Sequence, residues 1–92
     1  MGKAALVLSS ELIRAARALL RWEQRDLAKA SSVSLPTIKR LETRPGLMSA
    51  HLSTVAALRK ALESAGVEFI DENGGGPGVR LRRSQRPKRA KA

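Results

Sequence analysis

Cysteine and tyrosine are absent from this 92-residue chain, and histidine, tryptophan and phenylalanine occur once each. Without cysteine the fold has no disulfides and no thiolate chemistry, which fits a reducing compartment; we expect a cytoplasmic protein. A lone histidine, His51, supplies too few ligands for a metal cluster of the usual kind. The sequence therefore predicts no metal site.

Catalytic patterns are also missing. The eight acidic residues are scattered and most of them neighbour a basic residue, so no paired carboxylates in a cleft are indicated. The glycine-rich run from Asn73 to Gly78 lacks the Gly-Lys-Ser or Gly-Lys-Thr that completes a phosphate-binding loop, and it is typical of a turn. We expect no enzyme and no cofactor.

Long hydrophobic runs do not occur. The five apolar residues from Ala4 to Leu8 follow Lys3, and they are too few for a signal-peptide core or a membrane span. We expect an unexported protein without a membrane partner. A chain of this length holds one small and marginally stable domain, so a homodimer is plausible from size alone.

Negative charge is scarce, because 18 Lys and Arg oppose 8 Asp and Glu, a formal net charge of +10. Seven basic residues and no acid lie between Arg80 and Lys91. This excess favours a polyanionic partner through counterion release, although a solvated tail that only aids solubility is the alternative. We expect residues 83–92 to be disordered until an anion binds. The basic residues of this tail region are Arg82, Arg83, Arg86, Lys88, Arg89 and Lys91.

Apolar residues at helical spacing predict four helices. The first is capped by Ser9 or Ser10 and ends near Arg21; the fourth is capped by Ser49 and ends before Gly66. Between them, we expect a second helix over residues 23–30 and a third that is capped by Ser34 and runs to about residue 43. The single tryptophan, at position 22, is expected to cover one end of the core.

A hairpin is predicted after the helices. The segments Val67–Ile70 and Val79–Arg82 alternate apolar and polar residues and flank a glycine-rich connection. Val67 and Phe69 would share a face with residues 79 and 81, while Glu68 faces Arg80 or Arg82. Two strands alone are marginal in water, so the hairpin either lies against the helices or joins a second hairpin across a dimer axis.

Two short amphipathic helices around a tight turn are indicated by residues 24–42, QRDLAKASSVSLPTIKRLE. The chain from about Leu12 to Gly66 resembles the Cro/C1-type helix-turn-helix regulators, also called the XRE family. The resemblance implies a compact four-helix domain over residues 9–66 in a mainly α fold. The strand pattern adds a β-hairpin extension over 67–82, a possible dimerisation element, and the composition adds a flexible basic tail. The residues that carry it are Arg17, Gln24, Leu27, Ala28, Val33, Ser34, Thr37, Ile38, Leu41, Glu42, Leu52, Val55, Leu58 and Leu62.

The resemblance also implies DNA contacts. Arg40 is the best candidate for reading a base, because its planar fork matches the edge of guanine. Arg17 and Glu42 are expected to form a structural pair. Besides Arg40, the base-reading positions are Leu35, Pro36 and Lys39, and the phosphate-binding positions are Gln24, Ser34, Thr37 and Arg44, with Lys39 also suited to a phosphate.

One departure from the family lies in the turn, where Ser32 stands at a position usually held by glycine. Because a non-glycine residue with positive φ is disfavoured, we expect a turn that is shaped differently or slightly strained.

These features predict a sequence-specific double-stranded DNA-binding regulator, most simply a repressor acting as a dimer, with the helix at 34–43 in the major groove. An alternative is a protein-binding regulator, an antiactivator or antitoxin that holds a transcription activator or a toxin; an exposed apolar Leu35-Pro36 pair motivates it. A third possibility is non-specific coating of nucleic acid by charge alone.

Overall fold

The computed structural model describes residues 8–82. It confirms the predicted mainly α architecture of four helices followed by one antiparallel hairpin, and the predicted tail at 83–92 lies outside the described residues. The elements are α1 (Ser10–Leu20), α2 (Gln24–Ser31), α3 (Leu35–Thr43), α4 (Leu52–Ser64), β1 (Val67–Ile70) and β2 (Gly78–Leu81). No helix within this range has the length and apolar character needed to cross a membrane.

Serine caps fix the starts of α1 and α3. The Ser9 Oγ accepts the backbone N–H of Leu12 at 3.1 Å, and the Ser34 Oγ accepts that of Thr37 at 3.3 Å. Pro36 lies in the first turn of α3, where its missing N–H has no helical partner to lose. Both predicted caps are therefore confirmed.

The predicted cap of α4 is wrong. The helix begins at Leu52 behind an N-cap at His51, while Ser49 lies in the exposed connection before it. The reason is tertiary: the backbone N–H of Met48 donates to the Leu8 carbonyl at 3.0 Å, within a short antiparallel bridge to the start of α1. This bridge keeps the connection extended, so helical geometry starts only after it.

The core lies between the four helices and the first strand. Trp22 is half-buried and packs against this core, as predicted. The hairpin lies against α1 and α4 of its own chain, which is the first of the two predicted arrangements. The buried apolar residues are Leu8, Ile13, Ala16, Leu27, Ile38, Leu41, Val55, Leu58, Ala61, Leu62 and Val67.

The hairpin has the predicted register, with Val67 opposite Leu81 and residue 69 opposite residue 79. Glu68 pairs with Arg80 at 3.1 Å, and this guanidinium holds the pKa of the Glu68 carboxyl below its ordinary value. Of the two arginines predicted to face Glu68, Arg82 is used elsewhere: its backbone N–H donates to the Gly66 carbonyl at 2.8 Å, and its guanidinium donates to the carbonyl of Glu63.

A buried arginine joins α4 to this hairpin. The guanidinium of Arg59 lies 4.6 Å from the centre of the Phe69 ring, and its Nε donates to the Glu63 carboxylate at 3.0 Å. Arg59 thus makes an ion pair with Glu63 within α4 and a cation–π contact with Phe69 of β1. The second contact holds the hairpin against α4.

Candidate nucleic-acid interface

A three-residue turn, residues 32–34, joins α2 to α3. Ser32 has φ 66° and ψ 18°, in the left-handed region, and its backbone N–H donates to the Ala28 carbonyl at 2.9 Å. The Ser31 hydroxyl donates to the Leu27 carbonyl at 2.7 Å and accepts the Val33 N–H at 3.1 Å. Serine therefore occupies a left-handed backbone conformation that glycine adopts more easily, so this turn carries the strain that the sequence predicted as one of two outcomes.

Buried side chains decide which face of α3 is left outward. Ile38 and Leu41 are at most 5% exposed, and so is Leu27 of α2, so these apolar positions pack inward. The side chains between them on α3 point away from the core, because residues one and two positions apart do not share a helix face.

This outward surface of α3 is cationic. Lys39 and Arg40 are exposed on the helix, Arg44 is exposed just after it, and none of them belongs to an ion pair within residues 8–82. The one acid of α3, Glu42, is 7% exposed and bonded to Arg17. No carboxylate of α3 therefore offsets the cations on its surface.

Leu35 does not form a fully exposed apolar pair with Pro36, which corrects the sequence expectation. Pro36 is exposed, whereas Leu35 is half-buried and shares a cleft with residues at the start of α2. Leu35 lines an open cleft of about 370 Å³ between the two helix starts. The other residues that line the cleft are Arg17, Glu23, Gln24, Arg25 and Lys39.

Two of the predicted phosphate contacts bond to each other. The Ser34 hydroxyl donates to the Thr37 Oγ1 at 2.9 Å while it also accepts the Thr37 N–H. In this arrangement the Ser34 proton is used within the cap, and the Thr37 hydroxyl proton remains for a phosphate oxygen. Thr37 is thus the better donor of the pair.

A partly buried hydrogen-bond network lies at the cleft, which two of its members, Arg17 and Gln24, also line. Arg17 binds Glu42 through two parallel bonds, Nε to Oε2 at 2.8 Å and Nη2 to Oε1 at 2.7 Å, and its Nη1 donates to the Trp22 carbonyl at 2.9 Å. Gln24 Nε2 donates to Glu42 Oε1 at 3.0 Å. The network connects α1, the α1–α2 junction, α2 and α3, so it fixes the angle between the two helices of the turn.

Arg25 is a candidate contact that sequence reasoning missed. Its side chain is 77% exposed, lines the same cleft as Gln24 and lies 3.4 Å from the Glu23 carboxylate, a pair too exposed to hold it firmly. The sequence feature that could have indicated Arg25 is its position next to Gln24 in the first turn of α2, where the helix dipole and free N–H groups attract anions.

Within residues 8–82, no three His, Cys, Asp or Glu side chains lie close enough together to hold a metal ion. In comparisons with known proteins, the chain matches no protein-family model and no curated protein sequence.

Proposed function

We propose that this chain is a sequence-specific double-stranded DNA-binding transcriptional regulator of the Cro/C1 helix-turn-helix type. The observation that carries the proposal is the outward surface of α3: Lys39, Arg40 and Arg44 are exposed and outside the ion pairs of the described residues, while the only acid of this helix is neutralised inside the fold. Such a surface attracts the phosphate backbone and presents side chains to the groove.

In this proposal α3 enters the major groove, where some of its side chains contact bases and others contact phosphates. Arg40 reads guanine through the O6 and N7 acceptors, and Pro36 with the half-buried Leu35 meets a thymine methyl group or shapes the fit. Lys39 and Arg44 neutralise phosphates. The polar phosphate contacts are Gln24, Thr37 and, through its cap position, Ser34.

We also propose that the regulator acts as a homodimer and represses transcription by occupying two half-sites about one helical turn apart. Exposed leucines support a second copy, because Leu47 and Leu52 beside the start of α4 are 71% and 65% exposed and Leu81 of the hairpin is 40% exposed. A protein-binding role as antiactivator or antitoxin has less support than the sequence indicated, since Leu35 is half-buried.

The test compares binding to the DNA upstream of this chain's own gene with binding to a random duplex of equal length. Salt is titrated from about 50 to 200 mM, because counterion release separates charge-driven from specific affinity. We expect a preference of about a thousandfold or more for one site. Equal affinity for both duplexes at every salt concentration would contradict sequence-specific binding and direct the search to a protein partner.

A further inference from the structure

The carboxamide of Gln24 has a fixed polarity. Its Nε2 lies 3.0 Å from Glu42 Oε1, and an ionised carboxylate has only acceptors to offer, so the NH₂ end of the amide must face it. Turning the amide over would bring two acceptor oxygens together. A glutamine amide that is free at a surface samples both orientations, because its last torsion is broad and roughly two-fold.

The acceptor itself is held in place. Glu42 has 4% of its side chain exposed, and the two bonds from Arg17 use both of its oxygens. A carboxylate bound in this way cannot rotate without breaking a charge-assisted pair. Gln24 thus donates one Nε2–H to a rigid acceptor. Its second Nε2–H makes no hydrogen bond within the part of the chain that the structure describes.

We infer that Glu42 is a positioning residue for phosphate binding: it orients Gln24 so that the second Nε2–H donates to a non-bridging phosphate oxygen of DNA. This inference rests on the proposed function. It gives the Arg17–Glu42 pair a role beyond holding helices together. The pair fixes the orientation of Gln24, a DNA-contacting side chain, already in the free protein. Pre-ordering a long polar side chain in its bound geometry removes an entropic cost from binding.

The sign of the effect separates positioning from charge. Replacing Glu42 by Gln removes a negative charge near the DNA, which by itself strengthens binding. It also leaves residue 42 with one acceptor oxygen in place of two. The new NH₂ group must then face either Arg17 Nε or the two donors that share Oε1, Arg17 Nη2 and Gln24 Nε2, so the fixed acceptor of Gln24 is lost in either orientation. Positioning therefore predicts weaker binding from a change that electrostatics alone predicts to be favourable.

The experiment is a double-mutant cycle on a random 20-base-pair duplex at about 50 mM salt, where phosphate contacts dominate affinity. We expect Glu42→Gln to weaken binding about three- to tenfold when Gln24 is present. In the Gln24→Ala background the same change should leave affinity equal or higher. Glu23→Gln is the matched control, because it removes a charge from the same cleft without removing a hydrogen bond of the Gln24 side chain. Since it also frees Arg25 from an ion pair, it should leave affinity equal or higher in both backgrounds.

Equal weakening by Glu42→Gln in both backgrounds would assign it a structural role only and overturn the inference. The inference would also be overturned if the single variant Gln24→Ala bound the duplex as tightly as the unaltered chain. Circular dichroism establishes that each variant is folded. Where Glu42→Gln fails to fold, NMR of the unaltered protein gives the answer: in the free protein, the Gln24 Nε2 proton that faces Glu42 should resonate downfield of the corresponding proton of an exposed glutamine amide and exchange more slowly with water. Added duplex should shift the resonance of the other Nε2 proton. Two Gln24 protons with the shifts and exchange rates of an exposed glutamine amide would overturn the inference.

Failure of this inference and failure of the proposed function give different results. A chain that prefers its upstream site but shows no coupling between residues 24 and 42 is a regulator without this positioning. A chain that binds the random duplex with coupling yet prefers no sequence retains the positioning without sequence-specific regulation. Absence of binding to any duplex contradicts both.

Discussion

Arg17 and Glu42, 25 positions apart in the chain, meet edge to edge through two hydrogen bonds of 2.7 and 2.8 Å. The pair is largely shielded from water, with 18% of the arginine side chain and 4% of the glutamate side chain exposed. Because the arginine also holds the Trp22 carbonyl, one side chain of α1 fixes the start of α2 and the end of α3.

Removing one partner of this pair should be costly. Arg17→Ala leaves the Glu42 carboxylate buried with Gln24 as its remaining donor, and we expect a loss of about 3 kcal/mol in the free energy of unfolding. Urea unfolding followed by the fluorescence of the single tryptophan measures it. Arg14→Ala is the control in the same helix, since the Arg14–Glu11 contact is exposed and 3.8 Å long, and its loss should be much smaller. Similar losses for both variants would show that the pair is not a structural anchor.

Ser32→Gly should stabilise the protein. The left-handed backbone at this position strains any residue with a Cβ, and Ser32 is exposed. After allowing for the greater freedom of glycine in the unfolded chain, we expect a gain of about 0.5–1 kcal/mol, seen as a higher urea midpoint. Ala30→Gly, in the helix just before, should instead destabilise. A loss of stability in Ser32→Gly would mean that the serine side chain contributes more than the strain takes away.

Acid should weaken the contact that holds the segment after α3. The Glu11 carboxylate accepts the Gly46 N–H at 3.1 Å. The pKa of Glu11 lies below its ordinary 4.5, because its own backbone N–H and then that of Gly46 favour the ionised form, with Arg14 adding to the effect. Its contribution to stability is therefore complete above pH 4.5 and is lost as the pH falls through the lower folded pKa.

Unfolding midpoints measured at a series of pH values test this linkage. Glu11→Gln should lower stability at neutral pH and flatten its dependence on pH in the acid range. Glu72→Gln serves as the control, since Glu72 is exposed in the hairpin loop and belongs to no ion pair within residues 8–82. The linkage is refuted if the two variants respond to acid alike.

Arg40→Ala should damage the reading of one base. On the preferred site we expect a loss of about 1–3 kcal/mol in binding free energy and a relaxed preference at a single position. On a random duplex the loss should be smaller. Lys60→Ala, which removes one exposed cation from α4, is the matched control and should not change preference at any base. An equal loss on both duplexes would assign Arg40 to a phosphate.

Deleting residues 84–92 should reduce affinity for every sequence to a similar degree. The deletion removes Arg86, Lys88, Arg89 and Lys91. For each phosphate that these side chains neutralise in the full chain, the deletion should make the slope of log affinity against log salt shallower by about 0.9. Salt titrations of the full chain and the shortened one, on random DNA, measure the difference. An identical slope would exclude the basic tail from the interface and favour its role in solubility.

Local signals in the sequence predict much of this fold. Ser9 and Ser34 cap helices through bonds to residues three positions ahead, so their role is visible in a short segment. Ser49 has the same side chain but no such role, because Met48 is bound to Leu8 at the far end of the chain. A bridge between segments so far apart overrides local propensity and leaves no mark in either segment alone.

In the candidate site, too, some features are predictable from local sequence and others depend on contacts between distant segments. Lys39 and Arg40 are predictable as outward residues because helical spacing fixes the face that they occupy. The contact between Gln24 and Glu42 joins residues 18 positions apart and depends on the angle between two helices, which spacing does not give. The half-buried state of Leu35 likewise depends on how closely the start of α3 approaches that of α2.

Arg82 ends the described chain in a bound state, with its backbone and guanidinium both donating to carbonyls at the end of α4. The following basic residues are therefore tethered at a known point. From Arg82 to Lys91, nine residues extend at most about 30 Å. A phosphate that one of these residues neutralises must lie within that distance, plus the length of its side chain, of the end of α4, so the length of the segment sets how far along the DNA it acts.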